Sequence, residues 1–155
     1  MSLPTTLKEK FSQRYLDIPL HKHLNLALHT LNDDDVTVTL PMEDRLIGNP
    51  YTAILHGGVI AAVMDAVSGL CAALALFAKQ PDLAEDKIIA TIAGLSTVNF
   101  NINYLRPGKG SQFFAKATSI RSGRRISLIH FEFRNETDLL IATGSANFIA
   151  SGKTS

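Results

Sequence analysis

The chain has 155 residues, and its 15 basic against 14 acidic side chains leave a formal charge of +1, which gives no electrostatic footprint for nucleic acid and makes any anion site local. A composition 46% hydrophobic and 19% charged excludes a disordered chain, and the length sets the expectation of one domain over residues 1–155 with a real core. The lone Cys71 excludes an intramolecular disulfide, lacks the companions of a zinc site and fits a reducing cytosol, so the expected location is cytoplasmic and no metal is expected.

From the N-terminus, Lys8-Glu9-Lys10 stand where an export signal would need an apolar run. Leu7, Phe11 and Tyr15, four apart, predict a short amphipathic helix over about 5–17, stopped near Pro19. His21 and His23 read as surface residues of a polar turn. Residues 24–30 and 36–40 alternate as two strands around the turn Asn32-Asp33-Asp34-Asp35, whose aspartates lack the closing glutamate of a calcium loop. The composition loosens through Glu43-Asp44-Arg45 and Gly48-Asn49-Pro50. A helix over about 57–79 follows, apolar on nearly every face and ended by Pro81. It holds Asp65 and has no basic flank before it, so it reads as a helix wrapped by protein rather than a membrane span. Strand patterns then cover residues 87–104, 112–120, 125–133 and 139–149, with turns at 106–110, 121–124 and 135–138.

This order predicts an α+β fold, with an antiparallel sheet of five to six strands curled around one long helix and a core over about 24–150. The sheet edge beside the helix makes self-association an expectation.

Asp65 is the chemical outlier, because Ile60-Ala61-Ala62-Val63-Met64-Asp65-Ala66-Val67 offers no charge within a turn to pair with it. A buried unpaired carboxylate costs several kcal/mol or raises its pKa; the alternative is an acid that reaches solvent at a subunit seam or caps a loop. His56-Gly57-Gly58 opens the same helix. Glycines there allow a ligand to approach and leave N–H groups at the positive helix end, suited to a carbonyl oxygen gaining negative charge; the alternative is a tight turn capped by His56. Nine residues separate His56 from Asp65, about 14 Å of axial rise. That is too far for a simple His–Asp dyad within one chain; an acid from a second subunit could meet this helix start instead, which would make a dimer the catalytic unit.

The run His56-Gly57-Gly58-Val59-Ile60-Ala61-Ala62-Val63-Met64-Asp65, with Asn99-Phe100-Asn101-Ile102-Asn103-Tyr104-Leu105-Arg106-Pro107, Ser122-Gly123-Arg124-Arg125 and Leu140-Ile141-Ala142-Thr143-Gly144, resembles the PaaI-like branch of the hotdog-fold thioesterases over about 24–149. The resemblance implies a hotdog fold, a homodimer or dimer of dimers, and hydrolysis of acyl-CoA without a metal, coenzyme A being part of the substrate and not a cofactor. By position it implies Asp65 as general base or nucleophile, the Gly57 N–H as the group polarising the thioester carbonyl, and Thr97 as a hydroxyl placing the water. It implies Gly58 and the Arg121-Ser122-Gly123-Arg124 turn as contacts to the substrate's pantetheine or phosphates. Arginine forks suit phosphate, although solvated turn charges are an equal reading of the same residues. Family members carry an asparagine six residues before the histidine; here Asn49 lies seven before it, followed by Pro50.

His56 is read as shaping the turn rather than as the base. Cys71 reads as a small hydrophobe among helix neighbours. The rival readings are a non-catalytic acyl-CoA-binding hotdog protein and a hotdog hydratase or dehydratase, the latter needing a catalytic histidine paired differently with an acid.

Overall fold

The computed structural model describes residues 5–79, 84–123 and 125–150; the helix stop assigned to Pro81 and the site residue Arg124 lie outside them. An N-terminal helix α1 (Thr5–Leu16) leads into a second short helix α2 (Pro19–His23). The sequence reading missed α2 because it took Pro19 only as a stop. At the first helical position the fixed φ of proline starts a helix as readily as it ends one. Here His21 is buried with Nδ1 hydrogen-bonded at 2.8 Å to the Tyr15 carbonyl, which corrects its reading as a surface residue.

The strands β1 (Ala27–Leu31) and β2 (Asp35–Pro41) form the first hairpin. A 3-10 turn (Asp44–Leu46) and a small ribbon of β3 (Ile47–Asn49) and β4 (Ile54–Leu55) then deliver the chain to α3 (Gly57–Phe77). After α3 come α4 (Glu85–Ala93), β5 (Leu95–Tyr104), β6 (Gln112–Ser122), β7 (Ile126–Asn135) and β8 (Leu140–Ala150). The main sheet is antiparallel with six strands in the order β1-β2-β6-β7-β8-β5, so β5 is an edge. Helix α3 packs across the sheet, against β2, β5, β6, β7 and β8, and 78% of its most apolar window is buried inside the protein. That agrees with the reading of a helix wrapped by protein.

The expected strand over 87–104 is corrected. Residues 85–93 are helical, and β5 begins only at Leu95. Isoleucine-rich composition favoured strand there, but an 18-residue strand would run about 59 Å at 3.3 Å per residue. Its partner β8 has only 11 residues, about 36 Å at the same rise, so a strand of that length would run on unpaired.

Large and small residues alternate across the sheet beneath the helix. Val36, Ala117, Phe131, Gly144 and Ile102 are successive cross-strand partners, and Phe131 fills the room its small neighbours leave. A Cβ on Gly144 would stand 1.9 Å from the Asn101 carbonyl oxygen and 2.8 Å from the Phe131 ring. Only glycine lets β5 and β8 pair at this point.

Candidate active site

The edge strand β5 changes face once. Phe100 and Ile102 pack on the core, so strict alternation would turn Val98 inward as well. Instead the β5–β8 register slips between Thr97 and Asn99: Val98 is 58% exposed, while Leu95 packs on the core and Thr97 faces the helix. A bulge of this kind re-aims a side chain, and such bulges collect near functional sites. Here it brings the Thr97 hydroxyl to Asp65, donating to Oδ1 at 2.9 Å. Asp65 is half-buried; within one protomer it is therefore neither fully desolvated nor alone. Thr97 is the only hydrogen-bond donor to its carboxylate among the described residues.

A further neighbour of Asp65 comes from α1. The Tyr15 phenol lies over Gly69, one turn beyond Asp65, where a Cβ would meet its oxygen at 2.2 Å. Burial, and secondarily the Asp65 charge, push that phenol well above its ordinary range. No signal in the sequence linked Tyr15 to Asp65, since α1 docks on α3 only in three dimensions.

At the other end of the site, His56 is the N-cap of α3, with φ −64° and ψ 131°, and its Nδ1 accepts from the Gly58 N–H at 2.8 Å. Because an amide is only a donor, Nδ1 must be unprotonated in this arrangement, and the neutral ring carries its hydrogen on Nε2. A ring whose Nδ1 is committed to the backbone shapes the turn and is poorly placed to serve as a base through that nitrogen. The Val59 and Ile60 N–H groups bond the His56 carbonyl at 2.9 and 3.2 Å. Of the four first-turn donors, only the Gly57 N–H has no acceptor among the described residues. The expectation of several free donors thus narrows to one, and Gly58 spends its own inside the turn.

Tyr104, the last residue of β5, closes this end: its hydroxyl donates to the Gly57 carbonyl oxygen at 2.7 Å. Gly57, Ile60, Tyr104, Arg106 and Gly108 border a groove of about 390 Å³. In the sequence, Tyr104 was part of a recognisable block, with nothing to show that its phenol reaches the helix start.

The remaining residues are dispersed. Asn49 ends β3, and its Oδ1 accepts from the Tyr51 N–H at 3.0 Å, holding the loop ahead of His56. Arg121 and Ser122 are not in a turn; they extend β6, opposite Leu128 and Ser127, and the turn begins at Gly123. Lys79, just past α3, donates to the Ser122 carbonyl. The Arg121–Gly123 segment therefore sits at the opposite end of α3 from Gly57, about 30 Å away along a 21-residue helix. Gly57 and Asp65, on one unbroken helix, are about 12 Å apart along its axis.

A long helix packed across a six-stranded antiparallel sheet, opening on a glycine N–H that has no acceptor among the described residues, is the architecture of the hotdog-fold thioesterase superfamily. The thioesterase superfamily model matches residues 52–142, and the chain belongs to that superfamily. It is 27% identical over 132 residues to the medium/long-chain acyl-CoA thioesterase YigI of Escherichia coli, covering 85% of each chain. A solved Shewanella oneidensis protein, described as related to the thioesterase superfamily, superposes with a TM-score of 0.91 at 33% identity, over 97% of this chain and 100% of that one. The Escherichia coli PaaI protein shares the fold, with a TM-score of 0.74 at 16% identity, over 93% and 92% of the two chains.

Proposed function

We propose that this protein hydrolyses acyl-CoA thioesters to the free acid and CoA, at a site shared by two copies of the chain. The observation that carries the reading is the Gly57 N–H: a donor with no acceptor among the described residues, at the positive end of α3, beside a groove, on the helix that also carries Asp65. Such a donor stabilises the oxyanion that forms as a thioester carbonyl is attacked. Asp65 supplies the other half. Its Oδ1 is held by Thr97 and Oδ2 is left to act. As general base it takes a proton from water, whose oxygen adds to the carbonyl carbon; the C–S bond then breaks and the CoA thiolate leaves. As nucleophile it adds to the carbonyl carbon, the C–S bond breaks to release the CoA thiolate, and water cleaves the resulting mixed anhydride to the free acid and the carboxylate of Asp65.

One chain keeps these halves about 12 Å apart, and β5 supplies the geometry for joining them. Gly57 sits at the Tyr104 end of the strand and Asp65 at the Thr97 end. Two β5 edges pairing antiparallel about a two-fold axis would set the Tyr104 end of one against the Thr97 end of the other. The Gly57 N–H of one copy would then face the Asp65 of its partner. In such a homodimer the Arg121–Gly123 segment and Lys79 lie on the Asp65 side, where their charges suit the CoA phosphates. Further pairing into a dimer of dimers is part of the same proposal, as is a cytoplasmic location, which suits a chain whose one thiol is buried.

The name of the YigI relative supports medium to long acyl chains, consistent with the apolar border that Ile54, Leu55 and Ile60 give the groove. The test is CoA release, followed by thiol capture, from short, medium, long and aryl acyl-CoAs. Turnover that rises into the medium and long range and collapses in Asp65→Asn supports the reading. Tight binding without turnover would make the protein an acyl-CoA binder instead.

A further inference from the structure

Two successive glycines at the start of a helix form a weak frame for a catalytic donor, because glycine has the largest backbone freedom and the first turn of a helix frays. The peptide between Gly57 and Gly58 is nevertheless held at both ends. Its carbonyl oxygen accepts from the Tyr104 hydroxyl at 2.7 Å, and its N–H donates to His56 Nδ1 at 2.8 Å. The two bonds run in series, from phenol to peptide to imidazole, so that each polarises the next. The Tyr104 ring also lies along Gly57, its Cε1 3.4 Å from where a Cβ would stand. The phenol therefore meets Gly57 both at its carbonyl and along its Cα. It is brought there by the same edge strand whose bulge carries Thr97 to Asp65.

We infer that Tyr104 is a positioning residue of the reaction: by holding the Gly57 carbonyl it limits rotation about the Gly57 Cα, and so steadies the preceding peptide whose N–H meets the thioester. The inference rests on the reading of Gly57 as the oxyanion donor. Tyr104 itself need not touch the substrate; it acts by removing the freedom of the donor, so its contribution falls on the chemical step rather than on binding.

The test is a double-mutant cycle between Tyr104→Phe, which deletes only the hydroxyl, and Gly57→Pro, which removes the N–H and sets a ring carbon in ordinary contact with the Tyr104 ring. Tyr104→Phe in the otherwise native protein is expected to lower kcat about ten-fold, short of the roughly hundred-fold that a misplaced group can cost, with KM changed less than about two-fold and the melting temperature close to that of the parent. In the Gly57→Pro background the same substitution is expected to have no further effect on kcat, because the donor it orients is gone. A purely structural role would lower both backgrounds equally, and that outcome overturns the inference, as does an unchanged kcat in the single variant. Full activity of Gly57→Pro alone would instead remove the oxyanion reading beneath it, so the two failures are distinguishable.

Discussion

The Thr97 hydroxyl donates to Asp65 Oδ1 at 2.9 Å, and it does so only because the bulge at Val98 turns Thr97 onto the same face as Phe100 and Ile102. Replacing it with the near-isosteric valine removes the bond and keeps the shape. Hydrogen bonds to charged groups contribute about 1.5–3 kcal/mol, so Thr97→Val is expected to lower kcat by about ten- to a hundred-fold with little change in fold. Steady-state kinetics beside a thermal melt check this. Unchanged kcat would mean that Asp65 is held in some other way.

Gly57→Pro is an unusually clean deletion. Proline is favoured at the first helical position, and His56, at φ −64° and ψ 131°, already has the extended conformation that a residue before proline prefers. The added Cβ would sit 3.4 Å from the Tyr104 ring, an ordinary contact. The helix should form as before while the donor is lost, and kcat should fall by about 10²–10³, as when one oxyanion-hole donor is removed. Circular dichroism and CoA release, measured together, separate the two effects.

Gly69→Ala should destabilise the fold through Tyr15. A Cβ there meets the Tyr15 oxygen at 2.2 Å but the ring carbon bearing it at 3.4 Å, so the hydroxyl alone is in the way. Overpacking costs about 1–3 kcal/mol, and Tyr15→Phe in the same chain is expected to restore most of that loss. Chemical denaturation of the single and double variants tests the pairing. Equal stability of the two would show that Tyr15 does not rest on Gly69.

How far the sequence could be read depended on the reach of each signal. The apolar run of α3 and the alternation of β6, β7 and β8 are local patterns, and they placed helix and strands within two residues of their ends. Asp65 and Thr97 were each reached through a resemblance of motifs, with no contact expected between them; counting alternation from Val98 would have turned Thr97 away from the helix. Helix α4 was missed because Ile88 and Ile89 argue for strand by propensity, a weak prior that tertiary context overrides. Glu85 and Asp86 at its start and Gly94 just past its end were the helix signals available. Tyr15 and Tyr104 were invisible as site residues because their contacts join elements about 50 residues apart.

Cys71 gives a pH dependence. Its thiol is buried, with Sγ 3.5 Å from the Asp34 carbonyl oxygen, and burial, reinforced by Asp35 and Asp34, pushes it up from 9.0 to about 12. A pKa raised on folding means that the unfolded chain loses this proton first as pH rises. The associated stability is whole below about pH 9 and is lost as pH climbs towards 12. Denaturation midpoints of wild type and Cys71→Ala are expected to converge over that interval, and a disulfide reagent should label Cys71 only after unfolding. Rapid labelling of the native protein near neutral pH would contradict the burial.

The central claim, a thioesterase site made of Gly57 from one chain and Asp65 from another, is tested most directly by complementation. Chains carrying Gly57→Pro and chains carrying Asp65→Asn, given different affinity tags and co-expressed, are purified as the heterodimer, and CoA release from a medium-chain acyl-CoA is measured. Each variant alone should be nearly inactive. The heterodimer joins the intact Gly57 of one chain to the intact Asp65 of the other at one of its two sites, so it should recover about half of the wild-type rate under two-fold symmetry. A heterodimer as inactive as its parents would place both groups of each site in a single chain and contradict the shared site.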